Sequence, residues 1–556
     1  MSMPVIKEIT IDNPHAIKKM GTSGLRETQD VYNRPLFLEQ FTQGIASYFR
    51  ELTDSHTVSE KNDTLLLGGD PRKGNSGRIR TMASILAANG FRVIIAENGI
   101  ASTPAMSHGI RSLKTAGGII LTASHNPFTD VGIKVNNAGG APALDDTVDR
   151  IHQFQNRCDR FLTTDYDAAE AMGLISRVNI IAMYADLLDG IFGFTEMRKM
   201  IAERGIRGAF DAMHGAAGPF AREVFINRLG MDTVILREEP REDLGGCDEK
   251  GEPLHPEPDF DYIERLIEMN NTGQFDIVSA WDSDVDRRLD GGRGFFVESA
   301  DEFALFARYG DLIGLDRLFD GTMYFCRSTV TAGSVDKMEA WLTEKYKPMP
   351  VKIVETPTGF KWIAELGNWG VEESNGVGNP FLREKDGIFS TVFLLKIILH
   401  TGKNPRELME DIWKDFGRVY FTRGEVSGSD MSEMEQLKNI FNGSPGQAGE
   451  RFGDLILNTA CSWDYRHPVT GELASLNGAW VLEFSEGNTV KARFSGTGSG
   501  GYTLRVYCSK YDRRYSLPKA AITGPMKKAF NEFLVRNGFR GQSRKYTDAN
   551  QPDVYR

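Results

Sequence analysis

Short apolar, strand-like runs alternate with helix-like stretches through most of this chain, and that alternation constrains its fold more than any other feature. The first clear unit reads Thr64-Leu65-Leu66-Leu67-Gly68-Gly69-Asp70, then a helical stretch from Ile79 to Asn89, then Phe91-Arg92-Val93-Ile94-Ile95-Ala96. Buried strands separated by helices form βαβ units, in which helices cover a parallel or mixed sheet. A second unit starts near Gly208-Ala209-Phe210-Asp211, and a third near Gly321-Thr322-Met323-Tyr324-Phe325-Cys326. At 556 residues the chain exceeds what one hydrophobic core serves, so length alone implies roughly three to five domains. After about Phe421 the pattern changes to β-rich pieces such as 479–484 and 502–507. A helix follows, starting near Pro518 or Pro525 and running to about Asn537, because proline is tolerated in a first helical turn but not deeper. This last part reads as a separate α+β domain, with turn signals at 426–430 and 442–446 near its boundary.

Chemistry concentrates where strands end. Ser124 follows the apolar run Gly118-Ile119-Ile120-Leu121 and opens Ser124-His125-Asn126-Pro127, so its hydroxyl is expected at a sheet edge, with His125 and Lys134 supplying a proton acceptor and a positive charge. A strand-end turn with a stop signal is the plainer reading of the same residues. The strand-like run 275–280 is followed by Asp282, Asp284 and Asp286 at alternate positions. Three carboxylates so close repel one another, and a hard divalent cation resolves that repulsion; oxygen-only ligands favour Mg²⁺ over zinc. The alternative is a solvated acidic turn. An EF-hand is excluded, since Arg293 stands at the twelfth position from Asp282, where that loop needs glutamate.

The run Arg493-Phe494-Ser495-Gly496-Thr497-Gly498-Ser499-Gly500-Gly501 has the makings of an anion cradle, with Arg505 offering a second guanidinium; a flexible hairpin is the alternative. It lacks the Gly-Lys-Ser/Thr ending of a nucleotide-binding P-loop. Glu372-Glu373-Ser374 offers groups for sugar hydroxyls, and Lys385 lies in a run, 382–387, that reads as opening an amphipathic helix, where a desolvated amine exchanges protons more readily than a solvated one; surface charge and a solvated helix-start lysine are the plainer readings. A net charge of −11 without a basic block argues against nucleic acid or anionic membranes as partners. Five scattered cysteines without a CxxC pair fit a reducing cytoplasm, and neither a leader nor an apolar run long enough to span a membrane is evident.

Taken in order, these runs resemble the α-D-phosphohexomutases, and within them the phosphoglucomutase branch. The resemblance runs from Gly21-Thr22-Ser23-Gly24-Leu25-Arg26 to the C-terminal anion loop, through Asp211-Ala212-Met213-His214-Gly215 and Glu355-Thr356-Pro357-Thr358-Gly359. It implies an α/β fold of four domains around a central cleft, three related mixed-sheet domains at 1–190, 191–305 and 306–420 and a C-terminal α+β domain at 421–556. It also implies that Ser124 is a phosphoserine completing a Mg²⁺ shell with Asp282, Asp284 and Asp286. Thr358, Gly359, Glu372 and Ser374 would face sugar hydroxyls, and Arg493, Ser495, Gly496, Thr497 and Arg505 would grip the phosphate that is not reacting. Ser23, Arg26, His125, Lys134, Arg287 and Lys385 would line the reaction centre, with Lys134 and Lys385 as proton carriers. The implied reaction interconverts glucose 1-phosphate and glucose 6-phosphate through glucose 1,6-bisphosphate, in a cytoplasmic monomer or weak dimer whose partners are small sugar phosphates.

Several positions depart from the family pattern. Ser283 replaces a glycine of the metal loop, which implies an altered turn or a non-glycine residue at positive φ. Arg288 stands where a smaller polar residue is usual, Val371 where glycine is common, and 375–381 differs from the glucose-specific versions. These departures leave room for a glucose-1,6-bisphosphate synthase, a mutase for another hexose, or a catalytically silent structural paralogue.

Overall fold

The computed structural model describes residues 5–21, 24–55, 62–495, 502–539 and 547–548. The chain divides into two compact units, Met1–Asp290 with Gly378–Thr401, and Gly291–Val377 with Gly402–Arg556.

In the first unit, a six-stranded mixed sheet runs in the spatial order Leu25–Thr28, Asp130–Asn137, Gly117–Leu121, Thr64–Gly69, Arg92–Ile100, Ile175–Val178. The last four strands are mutually parallel and Asp130–Asn137 returns antiparallel beside Gly117–Leu121. The strands Thr64–Gly69 and Gly117–Leu121 are almost wholly buried, as expected where helices cover both faces of a sheet. The helix expected from Ile79 begins earlier, at Asn75, and ends at Ala88. Because Gly117–Leu121 lies inside the sheet, Ser124 is not displayed at an edge; it is 1% exposed, in the turn beyond the strand's C-terminal end. A second sheet pairs Arg207–Asp211 in parallel with Asp232–Leu236 on one side and Ile277–Trp281 on the other, so that Asp282 directly follows a strand.

Gly378–Thr401 returns to this unit. It contains a short antiparallel pairing of Gly378 with Lys385 and Asn379 with Glu384, then the helix Gly387–Thr401. That helix is not amphipathic: it is apolar nearly all round and packs against the helices Ile180–Phe192 and Phe194–Arg204 and the strand Ile277–Trp281. A helix surrounded by neighbours has no wet face to keep polar. Lys385 accordingly sits in a two-residue strand rather than in a solvated first turn.

In the second unit, Met323–Ser328 pairs in parallel with Val351–Thr356 and with Gly370–Glu372. Beyond Gly417 comes a seven-stranded antiparallel sheet in the order Arg451–Phe452, Leu455–Arg466, Leu473–Phe484, Asn488–Ser495, Tyr502–Asp512, Arg418–Gly428, Thr547–Asp548. The helix Lys519–Arg536 packs on it, burying Met526, Phe530 and Phe533 among Leu457, Leu482 and Leu504. Two local expectations differ here. The turn signals at 426–430 and 442–446 lie inside this α+β part: the first ends a strand and places Asp430 as N-cap of the helix Met431–Gly443, and the second ends that helix. Of the two starts expected for the last helix, Pro518 is the one found, as the residue before Lys519–Arg536; Pro525 lies well within the helix, where Gly524 before it presents no Cβ to the proline ring. Among the described residues, no helix is long and apolar enough to cross a membrane.

Candidate active site

Ser124 is held at φ 53°, a left-handed conformation that an L-residue keeps only when its surroundings impose it. Its N–H donates to Thr122 Oγ1 at 2.8 Å, its carbonyl accepts from Arg72, and its hydroxyl donates to Asp282 Oδ2 at 2.9 Å. His125 Nδ1 lies 3.5 Å from Ser124 Oγ, a weak contact beside the one to Asp282, so the neighbouring histidine is not the serine's principal partner.

Asp282, Asp284 and Asp286 are buried and each presents a carboxylate oxygen within 4.8 Å of the others. The backbone turn that gathers them places Val285, not Ser283, at positive φ (68°), and Ser283 therefore needs no strained conformation. Close approach beneath the loop is set by Gly215: a Cβ there would lie 2.6 Å from Ser283 Cα. Thus the glycine of Asp211-Ala212-Met213-His214-Gly215 packs under the metal loop, while Asp211 receives two hydrogen bonds from Arg237 at 2.7 and 2.6 Å.

Protein cations approach these carboxylates unevenly. Lys134 Nζ is 2.7 Å from Asp284 Oδ2 and 3.9 Å from Asp286 Oδ2, and Lys385 Nζ is 3.2 Å from Asp286 Oδ2. Arg287 donates from its backbone to Asp282 Oδ1 at 3.0 Å and from its guanidinium to Glu257 at 3.2 Å. Burial opposes the Lys134 ammonium, but Asp284 and Asp286 outweigh it and raise its pKa. Beside these carboxylates Lys134 is held charged, in keeping with the positive charge expected of it. Burial, with the charges of Asp284 and Asp286, pushes Asp282 well above the usual carboxylate range. Asp284 moves the other way, since Lys134 and the hydroxyl of Thr103, 2.8 Å away, outweigh the cost of burial. Asp284 Oδ1 and Asp286 Oδ1 are buried yet accept no hydrogen bond. All-oxygen ligands, crowded negative charge and orphaned acceptors fit a hard divalent cation. Arg26, whose pKa burial and then Arg287 lower, donates to Asn126 Oδ1 at 3.3 Å in the serine turn.

The remaining predicted residues belong to the second unit. Gly359, at φ 119°, donates its N–H to Glu372 Oε1 at 2.8 Å, and Thr358 Oγ1 is buried without a hydrogen-bond partner. Ser374 lies half-buried just beyond the strand Gly370–Glu372. Glu373 is engaged structurally, accepting from Tyr507 at 3.1 Å and Ser328 at 3.2 Å. Arg493 and Arg505 face each other in register on adjacent strands, and Arg505 Nε lies 3.4 Å from Glu425. Ser495 ends its strand; Ser23, Gly496 and Thr497 lie outside the described residues.

Domain models described as phosphoglucomutase/phosphomannomutase α/β/α domain I, α/β/α domain III and the phosphoglucomutase-1 C-terminal domain match residues 17–159, 335–416 and 418–541. Phosphoglucomutase 1 of Drosophila melanogaster is 30% identical, over 99% of this chain and 100% of its own. This chain belongs to the phosphoglucomutase branch of the α-D-phosphohexomutase superfamily. Phosphoglucomutase-2 of Paramecium tetraurelia is 32% identical over 91% of this chain and 92% of its own. The crystal structure of the Paramecium phosphoprotein pp63/parafusin, a phosphoglucomutase in an open form, superposes with a TM-score of 0.84 at 29% identity, covering 98% of this chain and 100% of that one. Mixed α/β sheets in several domains and a distinct C-terminal domain are thus the family's arrangement as well as this chain's.

Sequence reasoning missed the residues beneath these loops. Asp70, Arg72, Asn75, Thr103 and Thr122 are all buried: Arg72 and Thr122 bond Ser124, Thr103 bonds Asp284, and Asp70, held in turn by Asn75, bonds Arg72 and Thr122. Their signal was faint but real: Gly69-Asp70-Pro71-Arg72 and Ser102-Thr103-Pro104 are further strand ends or helix starts in the same sheet.

Proposed function

We propose that this protein is an active phosphoglucomutase that interconverts glucose 1-phosphate and glucose 6-phosphate through a phosphoserine at Ser124. The observation that carries the reading is the hydroxyl of Ser124, 2.9 Å from Asp282 within a buried cluster of three aspartates. In the forward direction the sugar 6-hydroxyl attacks the phosphoserine phosphorus, the P–Oγ bond breaks, and glucose 1,6-bisphosphate forms. After the sugar turns round, Ser124 Oγ takes the phosphoryl from the 1-position and glucose 6-phosphate leaves. Mg²⁺ held by Asp282, Asp284, Asp286 and the phosphoserine would supply positive charge against the transferring phosphoryl.

This chain's residues do the rest. The imposed backbone of Ser124 aims its oxygen, and Lys134, kept charged, offsets the aspartates and the phosphoryl. Lys385 is the proposed proton carrier at the attacking hydroxyl, and Arg26, His125 and Arg287, with Ser23, are assigned to the reaction centre. Glu372 and Ser374, with Thr358 and Gly359, are assigned to the sugar hydroxyls, and Arg493 and Arg505, with Ser495, Gly496 and Thr497, to the idle phosphate. The proposed domain limits are 1–190, 191–305, 306–420 and 421–556, in a cytoplasmic monomer or weak dimer.

The test is conversion of glucose 1-phosphate with Mg²⁺ and trace glucose 1,6-bisphosphate, beside mannose 1-phosphate and the Ser124→Ala variant. Serine-dependent turnover of the glucose ester is expected. Turnover retained in Ser124→Ala would sink the assignment, and preference for the mannose ester would move it to another hexose.

A further inference from the structure

The serine turn and the aspartate loop are joined, beneath their functional side chains, by one buried carboxylate. Asp70 Oδ2 accepts from Thr122 Oγ1 at 2.7 Å, from Arg72 Nε at 2.8 Å and from Ser283 Oγ at 3.0 Å. The side chains of Asp70 and Arg72 are 0% exposed. Thr122 Oγ1 in turn accepts the Ser124 N–H, and Arg72 donates to the Ser124 carbonyl and, at 2.6 Å, to that of Pro127. Both backbone polar groups of Ser124 therefore lead back to Asp70. The third donor comes from the other loop, between Asp282 and Asp284.

We propose that the Ser283–Asp70 hydrogen bond is a positioning link, which holds the aspartate loop in fixed register against the serine turn, with Asp70 as the shared anchor. Neither residue touches the reacting atoms; they act through Ser124 and the aspartates. A buried network with every member satisfied rigidifies what it joins, whereas one deleted hydroxyl leaves an acceptor short and its loop free to shift. The kinetic consequence rests on the mutase reading, since a reacting geometry displaced by about 1 Å loses on the order of a hundredfold in rate. The structural consequence does not depend on it.

The test is Ser283→Ala in the full-length protein, read by hydrogen–deuterium exchange, Mn²⁺ titration and steady-state kinetics, with Thr122→Val and the double variant beside it. The alanine keeps the Cβ and removes only the link. Exchange is expected to speed roughly tenfold in 281–287 and also in 121–128, with an unchanged melting midpoint and weaker Mn²⁺ binding. Adding Thr122→Val should change the serine turn less than additively, as residues in one network do. In kinetics, kcat should fall about tenfold with KM within about twofold, a split that general loosening would not give. Faster exchange confined to 281–287, faster exchange everywhere, or strict additivity would each overturn the link. If wild type failed to interconvert glucose phosphates, the mutase reading would fall while exchange and Mn²⁺ binding would still decide the link.

Discussion

Lys134 is the cation nearest Asp284 among those that balance the aspartate cluster, and Lys134→Met removes its charge while keeping its length. Its ammonium lies 2.7 Å from Asp284 and 3.9 Å from Asp286. At an effective dielectric of about 20, those separations correspond to roughly 6 and 4 kcal/mol of attraction. The variant does not lose the whole sum. At pH 7 a carboxylate of ordinary pKa takes up a proton at a cost of about 4 kcal/mol, so protonation within the cluster caps the loss near that value. This agrees with the roughly 3–5 kcal/mol typical of breaking a buried pair. The cap falls by about 1.4 kcal/mol for each unit by which pH is lowered, so the variant's deficit should shrink to below about 2 kcal/mol at pH 5. Divalent metal replaces the missing positive charge, so Mg²⁺ should stabilise the variant more than wild type at pH 7. The assay is hydrogen exchange of the strand Ile277–Trp281, which leads into Asp282, in EDTA and in Mg²⁺ at both pH values. Equal protection of wild type and Lys134→Met in EDTA at pH 7 would refute the charge balance described here.

Two further outcomes follow from other parts of the first unit. Gly215→Ala places a Cβ 2.6 Å from Ser283 Cα, where carbon atoms prefer about 3.5–4.0 Å, so the loop must give by about 1 Å. Overpacking of that kind costs about 1–3 kcal/mol, and calorimetric Mg²⁺ affinity should drop about 5- to 150-fold; an unchanged affinity contradicts the packing argument. Asp386, pushed up from 3.8 to about 7 by burial while accepting from Tyr184 at 2.8 Å, is favoured as the protonated acid in the fold. A raised carboxyl pKa means that wild type loses stability as pH rises from about 4 to about 7, by on the order of 4 kcal/mol, and no further above it. Asp386→Asn imitates the protonated acid and should flatten that slope in unfolding midpoints measured between pH 4.5 and 8; parallel curves for both proteins would count against it.

How much of this was legible depended on whether the signal was local. The strand Thr64–Gly69 and the turn after Leu121 were readable because an apolar run closed by glycine, aspartate or Asn-Pro is decided within a few residues. The three aspartates were readable for the same reason, since alternate carboxylates after a buried strand define their own electrostatic problem. The character of Gly387–Thr401 was not: Arg383-Glu384-Lys385-Asp386 suggests a wet helix start, but Glu384 and Asp386 are buried, and only tertiary packing reveals that. The return of Gly378–Thr401 to the first unit is equally non-local, because no composition shift marks it. Asp70 escaped notice because its partners are Thr122 and Ser283, far along the chain, and a single aspartate after a strand announces neither.

The two departures in the metal loop show why an altered motif need not disable a site. Arg288 is 1% exposed, and burial draws its guanidinium down to about 10, which in isolation would be a serious cost. Two positions along the same strand, Asp290 lies 3.5 Å from its Nε, and Asp290 is itself held by Thr391 Oγ1 at 2.8 Å. The unusual arginine thus arrives with its own counter-ion, on the face of the strand that alternation assigns to both. Ser283 is likewise satisfied by Asp70 and leaves positive φ to Val285. Both side chains find partners other than the three clustered aspartates, and Asp284 Oδ1 and Asp286 Oδ1 still accept no hydrogen bond. A silent paralogue would be expected to lose ligands or to fill their space, and here the substitutions are absorbed one layer behind them.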